Sequence, residues 1–189
     1  METMNYLRRY TRFLTRLIPT NTQYAISVEV ADWVEETAAA LDSVAAIVDG
    51  QNPVSDSQRF ELLEQLGRPA CRFRSEVYRQ EGFTGTRSVE SDEIHRLLSG
   101  ALVAIEHSIT TSRRDDHMFE AYNSIDIREH SIGVRSLYPM LEGQVAALSS
   151  QFIDSREVVA VLDALFASAI YRENQDSFML YPDRELPGL

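Results

Sequence analysis

The sequence predicts an all-α fold of antiparallel helical hairpins, with one irregular loop or short β-hairpin around residues 113–138. Three observations carry this reading. Apolar residues recur every three or four positions through most of the chain, the period of a helix face. Only eight glycines and six prolines occur, too few for a long flexible tract. The helical period then fails across RRDDHMFEAYNSIDIREHSIGVRSLYPMLEGQ, from Arg113 to Gln144, a segment that is polar, charged and aromatic at once. A chain of 189 residues is long enough for one domain with a real core, and 1–189 is read as a single helical domain.

Met4, Leu7, Tyr10, Leu14, Leu17 and Ile18 make the stripe of a first helix that Pro19 stops. The segment PTNTQ supplies caps. Ile26, Val30, Trp33, Val34, Leu41, Val44 and Val48 make the second stripe, ended by Gly50. These two helices pair as an antiparallel hairpin over 1–50. NPVSDSQ is a turn, with Ser55 or Asp56 as the next cap. Phe60, Leu63, Leu66, Ala70, Phe73 and Val77 keep phase across Gly67 and Pro69, which favours one kinked helix over two. EGFTGTRS is a loop, and Ser91 caps a fourth helix with Ile94, Leu97, Leu98, Leu102, Ile105 and Ile109 inside.

Within the dense segment, Ile125, Ile127, Ile132 and Val134 suggest one or two short extended pieces. Pro139 suits the first turn of a fifth helix with Leu141, Val145 and Leu148 inward. Asp154 and Glu157 resemble a capping box that opens a sixth, lined by Val158, Val161, Leu162, Leu165 and Phe166. The tail SFMLYPDRELPGL reads as extended.

Charge narrows the function. A formal net charge of −11 disfavours a phosphate-backbone partner, which needs concentrated Lys and Arg. The densest basic cluster is Arg8, Arg9, Arg12 and Arg16, read as a solvated helix face in preference to an anion or membrane patch. No run reaches the length of a membrane span, so no membrane partner is expected. The amphipathic N-terminus has no signal-peptide core and fits an ordinary helix better than a transit peptide. The single cysteine, Cys71, cannot form an internal disulfide, which is compatible with a reducing compartment and a cytoplasmic location.

The four histidines form no HxH or HExxH pair and Cys71 has no zinc-ligand neighbour, so no metal site is expected. No phosphate-binding glycine loop or nucleophile elbow is present. Carboxylates remain: Asp116, beside Arg114, and Glu142 are the catalytic candidates. Paired acids at a loop suit glycosidic-bond chemistry, in which one protonates a leaving oxygen. Tyr122 and Asn123 suit sugar rings and hydroxyls. A second dense patch, YRENQDSFMLYPDRELP, offers Tyr171, Arg172 and Gln175 on a loop after a helix. The plain alternative for both patches is a solvated connection anchored by a few aromatics.

RRDDHMFEAYN resembles an NRR-DGLYHAYN segment, and LYPMLEGQVAALSS and ALFASAIYRENQDSFMLYPDRELP resemble segments that follow it in large bacterial cellobiose-phosphorylase-like proteins. The resemblance runs from about Ser55 to the end, dividing the chain into a helical hairpin, 1–50, and a family-like region, 51–189. It implies a carbohydrate-active protein built on an (α/α)6 six-hairpin toroid, of which this chain is an arc. It implies an oligosaccharide substrate, phosphorolysis or hydrolysis of β-glucosides, and no cofactor beyond inorganic phosphate as a co-substrate. Asp116, Tyr122 and Asn123 take the DGLYHAYN positions, and Glu142 and Gln144 take the LEGQ positions. His117 stands where that pattern has Gly, so the loop's backbone is expected to differ, because non-Gly residues resist positive φ. Six hairpins need roughly twice this length. A lone arc exposes an apolar seam. The remainder of a larger chain, or a homo-oligomer partner, is expected to cover it. The competing reading is a non-catalytic helical module that binds a partner protein.

Overall fold

A computed structural model describes residues 1–48, 53–79 and 81–183. Among these the order is α1 (Glu2–Leu17), β1 (Gln23–Ser27), α2 (Val28–Ile47), α3 (Asp56–Arg79), β2 (Thr86–Glu90), α4 (Ser91–Thr111), β3 (Asn123–Arg128), β4 (Ser131–Ser136), α5 (Leu141–Ser149), α6 (Ser155–Ala167), β5 (Tyr171–Arg172) and β6 (Ser177–Phe178). The fold is mainly helical, as expected, but three two-stranded sheets make it more than all-α. No described helix is long and apolar enough to cross a membrane. The expected stop at Gly50 and the tail beyond Asp183 lie outside the described residues. Contacts divide the chain into two compact units, each discontinuous in sequence. One is Met1–Arg9, Ser108–Asp126 and Val134–Leu189; the other is Tyr10–His107 and Ile127–Gly133.

In the second of these, α2 lies along α3 and its stripe is close to the one expected. Leu41, Val44 and Val48 are buried against Val54, Leu62, Leu66, Leu97, Ala101 and Ala104. Gly100 of α4 sits so close to Leu41 that a Cβ there would meet the Leu41 Cβ at 2.9 Å. The helix α3 opens on a full capping box: the Gln58 N–H donates to Ser55 Oγ at 3.3 Å, and the Ser55 N–H donates to Gln58 Oε1 at 2.9 Å. It continues through Gly67 and Pro69 as one helix, with Pro69 buried. Trp33 and Phe73 pack at 6.4 Å between ring centroids.

The sheet β1–β2 was not expected. Its strands pair antiparallel from Gln23↔Glu90 to Ser27↔Thr86, in segments read from sequence as caps, the start of the second helix at Ile26, and loop. Neither strand makes sense alone, because each finds its hydrogen bonds on a partner distant in sequence. Ser91 is also recast. Its hydroxyl accepts the Thr22 N–H at 3.2 Å and its own N–H donates to Thr22 O at 2.8 Å, so it extends the ladder. Glu93 Oε1 accepts the Glu90 N–H at 3.2 Å at the start of α4.

In the other unit, α6 begins as expected: Asp154 Oδ1 accepts the Glu157 N–H at 2.8 Å. The Glu157 carboxylate does not return to the cap. It takes Arg113, with Nη2 to Oε2 at 2.9 Å. The inner face of α5 is rotated from expectation, and that of α6 is the expected face narrowed to Val161 and Leu165. The buried residues of α5 are Gly143, Gln144, Ala146 and Ala147, while Val145 is exposed. Those of α6 are Val161 and Leu165, with Leu162 and Phe166 exposed. Pro139 precedes α5, whose N-cap is Met140.

The first helix departs furthest from its reading. Its buried positions are Asn5, Arg8 and Thr11, and its apolar stripe faces outward. Arg8 explains much of this. Its Nη1 donates to Ser150 O at 2.8 Å, at the C-cap of α5, and its guanidinium lies 5.0 Å from the Phe152 ring centroid. A cation at a helix C-terminus meets carbonyls that have no helical partner, a favourable contact worth burying a polar face for.

Glu29, at the start of α2, is 4% exposed. The Thr84 N–H, at 2.9 Å, and the Thr84 hydroxyl both donate to its Oε1. The Thr84 hydroxyl first, then the backbone N–H groups of Glu29 and Thr84, hold this carboxyl below the usual carboxylate range against the opposing effect of burial. A depressed folded-state pKa contributes stability above the unfolded value, and that contribution is lost as pH falls through the folded one. Thr84→Val should therefore lower the Tm at neutral pH, and its gap from wild type should close in acid, below the carboxylate range. Circular-dichroism melts across pH read this directly.

Candidate functional site

The site is built on the turn that follows α4. The Ser112 hydroxyl donates to Ile109 O at 2.8 Å and closes the helix. The chain then doubles back on itself. The Arg114 N–H donates to Met118 O at 2.9 Å, the His117 N–H to Arg114 O at 3.2 Å, and the Glu120 N–H to Ser112 O at 2.9 Å. Asp116 Oδ1 accepts the Met118 N–H at 3.1 Å, an Asx turn that fixes the bend. His117 takes φ +66°, the left-handed region that glycine favours. A non-glycine residue resists positive φ, yet this histidine adopts it.

Arg114 ties the turn together. Its Nε lies 3.2 Å from both oxygens of Asp116, its Nη2 lies 3.1 Å from Oδ2, and its Nη1 lies 3.1 Å from Glu120 Oε1. Burial works against the guanidinium's charge, but the hydrogen bonds and charges of Asp116 and Glu120 outweigh it and raise its pKa. Glu120 Oε2 is buried without a hydrogen-bond partner. Arg113, Arg114, Asp115, Asp116 and Glu120 line an open hollow of about 390 Å³.

The fifth helix clasps this turn from behind. The Phe119 N–H donates to Gln144 Oε1 at 2.7 Å, and Gln144 Nε2 donates to Phe119 O at 2.8 Å and Met140 O at 3.0 Å. Next to it, Gly143 lies against Ala121, where an added Cβ would stand 2.8 Å from the Ala121 Cβ and 2.9 Å from its Cα. This contact brings Glu142, in the first turn of α5, into the field of Tyr122. The Tyr122 hydroxyl donates to the Glu2 carboxylate. That bond first, then burial and the charges of Glu2 and Glu142, raises the phenol's pKa and keeps it a donor. The ring is 44% exposed.

The expected site residues thus separate into three groups and two residues that stand alone. Arg114 and Asp116 line the hollow; Tyr122 and Glu142 share a charged patch with Glu2. Asn123 opens β3 with its Oδ1 buried and without a hydrogen-bond partner. Gln144 is fully buried, with both polar atoms engaged by backbone, and offers nothing to a ligand here. Tyr171, Arg172 and Gln175 belong to the β5–β6 hairpin and its 3-10 turn, Glu173–Gln175. The Tyr171 hydroxyl donates to Asp176 Oδ1 at 2.8 Å, Arg172 pairs with Asp183, and Gln175 is exposed. Hydrogen bonding to Asp176 is the main cause of a raised Tyr171 pKa, followed by burial and the charges of Asp176 and Glu173.

Chemically, the hollow offers a fixed array of donors and acceptors for hydroxyl groups. Asp116 receives Arg114 and the Met118 N–H on its oxygens, a poor arrangement for carrying and releasing a proton. Among the described residues, no arginine or backbone N–H clamps Glu142, the other candidate acid. Glu120 and Glu2 are additions to the candidate set. The spacing of Arg114 and Glu120 within one turn hints at the first; nothing local points to Glu2, which lies far away in sequence. Among the described residues no three His, Cys, Asp or Glu side chains are grouped to hold a metal ion. The sequence matches no protein-family model and no curated protein.

Two substitutions test the architecture. Gly143→Ala gains about 1 kcal/mol of helix propensity. It also drives a methyl into the Ala121 backbone, an overpacking cost of about 1–3 kcal/mol, so a net loss of stability is expected in urea unfolding. His117→Gly should be neutral or stabilising by up to about 1 kcal/mol, whereas His117→Val should destabilise by about 1–2 kcal/mol, because a β-branched residue resists positive φ.

Proposed function

We propose that this chain is a segment of a carbohydrate-active protein acting on β-linked glucosides, and that the turn 112–123 with the start of α5 forms part of its sugar-binding wall. One observation supports this above the rest. The three segments that resemble cellobiose-phosphorylase-like proteins all fall in one compact unit, and two of them clasp each other through Gln144 and Gly143. The positive φ of His117, where the resembled pattern has glycine, agrees with it.

In this reading Arg114, Asp116 and Glu120 present hydrogen-bonding groups to sugar hydroxyls, and the exposed Tyr122 ring gives an apolar face for a pyranose. Gln144 positions the turn without touching substrate. Glu142 is the acid for proton transfer at the glycosidic oxygen, by phosphorolysis or hydrolysis. Titration calorimetry with cellobiose and cellotriose should give weak binding, with a Kd near ~1 mM. Tyr122→Ala should weaken it about tenfold, equivalent to roughly 1.4 kcal/mol of lost stacking. No heat from either sugar, with or without phosphate, defeats the reading.

A second reading, a non-catalytic helical module that binds a partner protein, is favoured by the outward-facing apolar stripe of α1. It predicts a silent sugar titration.

A further inference from the structure

The outward face of α1 has a narrower geometry than a merely greasy helix. Tyr6, Tyr10, Phe13 and Leu17 follow one another at spacings of four, three and four, the rhythm of a coiled-coil seam. All four are exposed: 42% for Tyr6, 57% for Tyr10, 55% for Phe13 and 59% for Leu17. Arg9 and Arg16 stand immediately before Tyr10 and Leu17. With Tyr10 and Leu17 at position a, and Tyr6 and Phe13 at d, both arginines occupy g, the flanking position that selects a partner by charge. The opposite side of the helix is committed, through Asn5, Arg8 and Thr11.

The charges decide what kind of helix fits. A second copy of α1 packed antiparallel sets g against g, which places Arg9 against Arg9 and Arg16 against Glu2, whose carboxylate already takes the Tyr122 hydroxyl. Packed parallel, it sets Arg9 and Arg16 against the e positions, which are Leu7 and Leu14. Neither arrangement sets a carboxylate against Arg9. A bilayer surface would also accept the arginines, and Leu7, at e and 42% exposed, widens the stripe beyond a and d, so vesicle binding is one arm of the test. We propose that α1 is a docking helix for a different, acidic amphipathic helix, one that packs apolar a and d residues on Tyr6, Tyr10, Phe13 and Leu17 and sets Asp or Glu against Arg9 and Arg16. This gives the partner-binding reading a surface and a partner chemistry.

The probe is a synthetic peptide of about four heptads with Leu at a and d and Glu at e and g, and a control with Lys at e and g. Fluorescence anisotropy with the full chain should show the Glu peptide binding at least about tenfold more tightly than the Lys peptide, and losing that preference in high salt. Phe13→Glu, an exposed position, should abolish binding while circular dichroism stays unchanged. The double variant Arg9→Glu, Arg16→Glu should reverse the preference toward the Lys peptide, a result that general unfolding cannot produce. Equal binding of both peptides, binding of neither, or Phe13-dependent binding to phosphatidylglycerol vesicles without a peptide preference each overturns the proposal. Any of these removes the docking surface only; the partner-binding reading itself stands or falls on the sugar titration.

Discussion

The pairing of Gln144 with Phe119 is the constraint on which the candidate site depends. A buried primary amide here does the work of a neighbouring strand: it accepts the Phe119 N–H and donates to the Phe119 carbonyl, and its second donor takes Met140 O. Each of those backbone groups left unpaired in the interior would cost about 1–3 kcal/mol. A leucine of similar size would fill the space and leave all three orphaned. Because Gln144 sits on the first turns of α5, its bonds fix the register of that helix against the turn. Gly143 then has to lie against Ala121, and Glu142 and Tyr122 are neighbours as a consequence.

The turn in front of this clasp is organised by charge. Arg114 brackets Asp116 and Glu120, and Asp116 in turn caps the bend through the Met118 N–H. Arg114, Asp116 and Glu120 are therefore tied to one another, while Arg113 turns to Glu157 and one Glu120 oxygen stays buried without a partner. Groups held this way are pre-organised, which lowers the entropy lost in any contact they make.

At α1 the usual relation between pattern and packing is inverted. The buried side chains are an asparagine, an arginine and a threonine, and the aromatic residues face out. Arg8 makes this possible by meeting the carbonyl end of α5 and the face of Phe152. Tyr6, Leu7, Tyr10, Phe13 and Leu17 are left exposed on that helix, edged by arginine.

Much of the secondary structure was legible in local sequence. Helices announce themselves through a period that a few turns can carry, so the rough extents of α1, α2, α3, α4 and α6 followed from spacing; the cap at Asp154 followed from Glu157 three residues on, and Ser55 was one of two candidates for the cap of α3. The hairpin within 113–138 was legible as a change of period. What the spacing could not reveal is which side of a helix meets the rest of the chain. That is set by distant groups: Ser150 for Arg8, Phe119 for Gln144, Thr22 for Ser91. The strands β1 and β2 were hidden for the same reason, because a strand is defined by a hydrogen-bonding partner, and here the partner lies at the other end of two helices. Sequence alone determined where this chain is helical and where its chemistry is concentrated. Only the tertiary structure decided which of those chemical groups support the fold and which face outward, because burial depends on contacts that no local pattern encodes.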